Sequence, residues 1–184
     1  MNTFNLMNIF NGFIRNYENF NLNISDEKEG IVKKESKFFI MLGQLLGFEV
    51  ISEHRKNFLE NKIVWIDKDN ENKSFLTIVR EEDLTNDLEN IQNLVRYLKD
   101  KNDQNIINIV EISSEKRIEY LNNILLTSSL CIKKEILVIY IIKDILNSKN
   151  YITANLYFEK KLVCSKKAVI SLKDNIFTGE FVVH

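Results

Sequence analysis

The residues most able to do chemistry crowd around one stretch, "NKIVWIDKDNENKSFLTIVREEDL", Asn61 to Leu84. Two short apolar runs there are joined by a polar turn and flanked by carboxylates. Asp67, Asp69 and Glu71 lie in and beside the turn, and Glu81, Glu82 and Asp83 follow the second run. Carboxylates that converge from neighbouring strands can hold a divalent ion and its attacking water, as a metal-dependent nuclease requires. With Glu35 and Glu53 from adjoining elements, Asp67, Glu81 and Glu82 form the candidate catalytic set, and Mg2+ is its implied cofactor. The same residues have an ordinary reading. Asp and Asn favour turns through local hydrogen bonds, and negative charge just ahead of a helix is stabilised by about 0.3 to 1 kcal/mol.

Other chemistries find less support. His54 follows Glu53 with no Ser or Cys nucleophile identifiable beside it, so it reads as a surface residue. Cys131 and Cys164 form no CxxC and have no His at ligand spacing, so no structural metal site is expected. The glycines match neither GxGxxG nor GxxxxGK[ST], which disfavours nucleotide cofactors. Trp65 sits inside an apolar run and reads as core, while an outward indole there would suit stacking on a base or a partner.

One local feature favours a polyanion. "YFEKKLVCSKKAVISLK" sets Lys160, Lys161, Lys166, Lys167 and Lys173 against a single Glu159, with Tyr157 and Phe158 nearby. A pair of strands displaying these lysines around one loop would suit the phosphates of DNA or RNA, and Lys133 and Lys134 would extend the patch. The competing reading is that lysines guard an exposed β-edge against aggregation.

The elements that must position these residues come from a chain of 184 residues, 45% hydrophobic, enough for the continuous core of one domain. Charged residues make up 28% of it but nearly cancel, to a formal net charge of -1, so no global basic field advertises nucleic acid. The absence of proline and the abundance of Asn, Ile and Lys carry no functional weight. No run reaches the roughly 18 apolar residues of a membrane span, and "MNTFNLMNIFNGF" lacks a basic segment and a small-residue cleavage site. The expectation is a soluble cytoplasmic protein with reduced thiols and no membrane partner.

Within residues 1–24, Phe4, Phe10, Phe13, Ile14 and Tyr17 recur at helical spacing, an aromatic face suited to a homodimer or a protein partner. "KKESKFFIMLGQLLGF" predicts a second helix with Phe38, Phe39, Leu42, Leu45 and Leu46 on one stripe and Gly47 as its stop. "FEVIS", "KIVWID" and "FLTIVR" predict three strands. Leu88, Ile91, Leu94, Val95 and Leu98 predict a helix, with Asn86 and Glu89 at capping-box spacing. "NIINIVEIS" then reads as a strand, "EKRIEYLNNILL" as a helix and Ile136 to Ile142 as a strand. "YITANLYF", "KLVCS", "AVISL" and "IFTGEFVV" make residues 151–184 a β-rich C-terminal segment. No linker or repeat divides the chain, so 1–184 is expected to be a single α/β domain with a central mixed sheet flanked by helices.

The order helix, three strands, helix, strand, helix resembles the common core of the restriction-endonuclease-like nuclease superfamily across Glu35 to Ser113, fewer than half of the residues. Glu35 ahead of "GFEVISE" is similar to the family's first-helix Glu and its Gly-aromatic strand opening. "IVWID" resembles its second strand, and "EEDLTNDLENIQNL" its strand-to-helix junction. The resemblance implies an Asp at the start of the second strand, then an acidic residue and a Lys one residue apart on one face of the third. These positions fall on Lys62, Thr77 and Val79, which cannot hold a hard divalent ion. The resemblance therefore implies a catalytically degenerate nuclease-like fold serving as a nucleic-acid-associated binding or assembly module, without a metal or other cofactor. Two alternatives stand beside it: a nuclease with displaced acidic residues, and a protein-interaction module of unrelated α/β fold.

Overall fold

Period-2 runs and 3.6-residue stripes alternate along the chain, and in the computed structural model they become one mixed sheet with helices on both faces. The structure describes residues 5–20, 28–55, 60–70, 73–81, 87–100, 105–128, 135–173 and 176–182. Helix α1 (Leu6–Arg15) and a 3-10 turn (Tyr17–Phe20) precede α2 (Lys28–Leu45). Then come β1 (Glu49–Arg55), β2 (Glu60–Asp67), β3 (Lys73–Glu81), α3 (Asp87–Asp100), β4 (Asn105–Glu111) and α4 (Lys116–Thr127). The chain continues through β5 (Ile136–Asp144), β6 (Lys149–Phe158), β7 (Lys161–Lys173) and β8 (Ile176–Phe181).

The strands lie in chain order, β1 to β8. β3, β4 and β5 are mutually parallel and every other neighbouring pair is antiparallel. Helices α3 and α4 are the crossovers of this parallel trio, and crossovers of one hand between strands of one direction lie on one face. Ile91, Leu94, Ile118 and Leu121 accordingly share a core with Ile106, Val110, Val138 and Tyr140. The opposite face carries α1 and α2, whose aromatic residues pack on Ile78, Ile107, Ile109, Leu137 and Ile139. With both faces covered, β4 and β5 read as continuous apolar runs, as the inner strands of a parallel sheet do.

The expected strands and helices are present, with four differences. First, "KLVCS" and "AVISL" belong to the single strand β7, because alternation runs straight through the Lys166–Lys167 pair and gives each amine its own face. Second, α2 begins at Lys28, ahead of the expected start. Third, its stripe is shorter. Phe38 and Phe39 are buried, but Leu45 is 81% exposed and Leu46 51%, because the helix ends there and Gly47, at φ 90°, turns the chain back into β1. Fourth, β6 begins at Lys149, ahead of the expected Tyr151, and pairs along the whole of β5. The capping Asn86 lies outside the described residues.

The aromatic face of α1 is not open to a homodimer or protein partner. Leu6, Ile9, Phe10, Phe13, Ile14 and Tyr17 are all buried in the chain's own core, where an apolar face this wide is most stable. Trp65 is also core, stacked on Phe48 at 5.5 Å, and so presents no indole for base stacking. Gly43 makes that possible: a Cβ there would stand 2.6 Å from Trp65 Nε1. Among the described residues no helix is long and apolar enough to cross a membrane.

Candidate functional site

Three strands that run in parallel deliver a charged residue near their carboxyl ends on the α1–α2 face: Arg80 on β3, Glu111 on β4 and Lys143 on β5. The registers Arg80↔Ile109 and Glu111↔Ile141 put them in phase. α2 adds Glu35 from above, and the 3-10 turn adds Tyr17. Arg80 Nε lies 3.1 Å from Glu35 Oε2, Arg80 Nη2 donates to Glu111 Oε1 at 2.7 Å, and Lys143 Nζ also reaches Glu111 Oε1 at 2.7 Å. Tyr17 donates a long 3.4 Å bond to Glu35 Oε1. Glu35, Arg80 and Glu111 are each only 3% exposed, whereas Lys143 reaches the surface. The carboxyl ends of parallel strands are where open α/β sheets place ligands.

Burial pushes the Glu35 carboxyl above its ordinary range, and Arg80 only partly offsets that. Burial alone would lower Arg80, but Glu35 and Glu111 outweigh it and hold the guanidinium protonated. Tyr17 is pushed well up by burial and then by the Glu35 charge, so it stays a neutral donor. Two carboxylates and two cations thus neutralise one another inside the chain. Both carboxylates converge on the Arg80 guanidinium.

The opposite face holds a buried neutral network. Asn122 Oδ1 on α4 accepts from the Tyr140 hydroxyl at 2.9 Å, from Asn155 Nδ2 at 3.3 Å and from the Tyr157 hydroxyl. Ser165 Oγ donates to Asn155 Oδ1 at 2.7 Å. Burial raises both phenols, Tyr157 to about 12, so neither ionises in the physiological range. Two buried hydroxyls converge on one amide oxygen and also hydrogen-bond to each other. Asn122→Ala is therefore expected to lower stability by about 1 to 3 kcal/mol in urea unfolding, the cost of one desolvated donor. A loss near zero would show that water reaches the network.

Of the residues singled out from sequence, Asp67 and Glu53 lie away from Glu35. Asp67 accepts from the Asp69 amide at 3.0 Å and caps the β2–β3 turn. Its register partner is Lys73, seven residues along β3 from Arg80, roughly 23 Å of strand. Glu53 is exposed on β1, in the row Glu53–Lys62–Val79. That row faces α3 and α4, as buried Thr77 also does, whereas Ile78 and Arg80 face Glu35. The positions Lys62, Thr77 and Val79 are thus one residue out of phase with the face of Glu35. There the register runs through Arg80 and its partner position Asn61, and through Ile78. Glu81 ends β3, Glu82 lies outside the described residues, and so does Cys131. Cys164 is a half-buried free thiol. Among the described residues no three His, Cys, Asp or Glu side chains are grouped to hold a metal ion.

The lysines are also dispersed. Lys160 and Lys161 stand exposed at the β6–β7 turn. Lys166 Nζ turns to Asn11 at 2.9 Å on the α1 face, and Lys167 pairs with Glu115 on the α4 face. Lys173, at the far end of β7, pairs with Glu180 at 2.6 Å. One loop does not display all five, and Lys133 and Lys134 lie outside the described residues. Sequence reasoning misses Arg80, Glu111 and Lys143. Their signal is a charged residue at inward parity ending "FLTIVR", "NIINIVE" and "VIYIIK".

Fold and site together define an α/β protein whose mixed sheet encloses an internally neutralised ionic cluster. No protein-family model matches the chain, and no curated protein matches it. Among solved structures it is similar to the central domain of yeast acetyl-CoA carboxylase, with 11% identity and a TM-score of 0.42. That match covers 82% of this chain and 26% of that one, so this chain spans about a quarter of that protein. At that score the likeness bears on neither family nor activity.

Proposed function

We propose that this chain is a binding or assembly module, nucleic-acid-associated as the resemblance implies, built on a catalytically degenerate nuclease-like fold. The order α2, β1, β2, β3, α3, β4, with β3 and β4 parallel, supports the nuclease-like reading. The observation that carries the degenerate reading is Arg80, a fixed cation held between Glu35 and Glu111. A guanidinium offsets the charge of both carboxylates but cannot activate a water as a bound metal does. Nucleic-acid contact falls to Lys160 and Lys161, for which no ion pair occurs among the described residues.

The purified chain is expected to leave single- and double-stranded DNA and RNA intact with Mg2+ or Mn2+. Binding of a fluorescent oligonucleotide should fall with salt. Lys160→Ala/Lys161→Ala should reduce the logarithmic salt slope by about 2, because each lysine that neutralises a phosphate releases about one counterion. Cleavage by the parent that Asp67→Ala or Glu81→Ala/Glu82→Ala abolishes would replace this reading with the displaced-carboxylate nuclease.

A further inference from the structure

The sheet is closed unevenly at its β8 edge. β8 pairs only with Ala168 to Lys173 of β7, and the Val182 amide reaches the Lys167 carbonyl at 3.0 Å. From Lys161 to Ser165, β7 pairs with β6 on one side, with a bulge that leaves Val163 without a partner, and among the described residues no strand lies on the other. A row of backbone donors and acceptors is thereby left facing outward, the template on which an extended segment adds as a strand.

Three features mark this half-edge as built for an occupant. Its aliphatic residues face solvent, Leu162 at 45% and Val163 at 60% exposure. A cleft of about 440 Å³ opens where β8 ends, lined by Ser165, Lys166, Lys167, Phe181 and Val182. The turn leading into the edge is made by Glu159 and Lys160 at φ 48° and 60°, a conformation that favours Asn and Gly.

We propose that the Lys161–Ser165 edge of β7 accepts an extended, acidic segment of a partner protein as an added strand. Alternation, shifted by the bulge at Val163, sets the pattern of that segment. Lys161 lies on the α1 face and Leu162 on the α4 face, so an acid belongs beside Lys161 and an aliphatic residue beside Leu162, while Lys166 is already held by Asn11 and the Phe181 ring. A second copy's own edge fits poorly, because it would bring lysine against lysine. Nucleic acid would use the lysines but neither the aliphatic residues nor the open backbone. This inference goes beyond the nucleic-acid reading by placing a protein partner at the same edge, and catalysis by the chain would leave it standing.

The test uses the full chain, 15N-labelled, and a capped eight-residue peptide alternating Glu with Val and Thr. A second peptide of the same sequence carries N-methyl groups on alternate amides. The unmethylated peptide is expected to bind and to slow amide exchange in residues 162–165 by tenfold or more. N-methylation, which removes strand hydrogen bonds without changing charge, should weaken binding at least tenfold, and so should Lys160→Glu/Lys161→Glu at these exposed positions. The proposal is overturned by absence of binding, or by equal affinity for the two peptides with displacement by an oligothymidylate, the mark of a simple polyanion site. Protection of the same amides by self-association, without peptide, overturns it as well.

Discussion

Arg80→Met lowers the stability of the folded chain by about 3 to 5 kcal/mol, the loss expected when a buried ionic group is left without its counter-charge. Glu35 and Glu111 remain inside at 3% exposure, with Lys143 paired to Glu111 and acting on Glu35 only from farther away. Urea unfolding of parent and variant measures the loss as a lower midpoint at unchanged slope. A change under about 1 kcal/mol would mean that water already solvates the cluster. Replacing all three of Glu35, Arg80 and Glu111 with apolar residues of similar volume should be far milder, because no uncompensated charge is then left behind. Arg80 Nη1 is itself buried without a hydrogen-bond partner among the described residues, so the ion pairs are not optimised for stability. If the guanidinium stands in for a metal, Arg80→Ala should gain stability on addition of Mn2+, while the parent does not.

Glu35 adds a pH signature to the same cluster. Its carboxyl is raised, first by burial, so above the ordinary value of 4.5 the folded chain keeps a proton that the unfolded chain has released. That contribution is fully present below 4.5 and is lost as pH rises through the raised value. Stability should therefore decline across this window, and Glu35→Gln should flatten the decline.

The strands are legible in the sequence because β-branched runs of the right length are rare elsewhere in the chain, and Ile136 to Ile142 forms the expected strand although periodicity alone is ambiguous there. The site is less legible. Thr77 and Val79 lie on one face of β3 and Ile78 and Arg80 on the other, and no alternation within the strand says which of the two faces Glu35 covers. Glu111 and Lys143 are hidden differently. Each ends an apolar run, where a solvated charge is the usual expectation, and only the parallel registers of β3, β4 and β5 bring them to Arg80. Those registers depend on α3 and α4 as crossovers, a tertiary fact that no local window contains.

Phe13→Ala should lower stability by about 3 to 5 kcal/mol, the range for emptying a buried phenylalanine site. The ring is fully buried, 5.3 Å from Tyr17, 5.6 Å from Phe38 and stacked on Phe39 at 5.6 Å. Collapse around the cavity is restricted because α1 is fixed at both ends. Asn5 and Glu135 accept from the Met7 and Leu6 amides at 2.8 and 3.1 Å, and at its other end a Cβ on Gly179 would stand 2.6 Å from the Ile14 carbonyl. Were α1 an interface helix, the destabilisation would depend on protein concentration and accompany a change in mass. As a core helix, it should give a destabilisation independent of concentration by urea unfolding, with an unchanged monomer or oligomer mass by light scattering. Phe13 also packs directly beneath Tyr17, the donor to Glu35. The cavity therefore loosens the group that orients one arm of the ionic cluster, and Phe13→Ala combined with Arg80→Met should depart from additivity by more than the ~0.5 kcal/mol typical of independent sites. Strict additivity would show that the aromatic core and the ionic cluster are energetically separate, and that Tyr17 does not connect them.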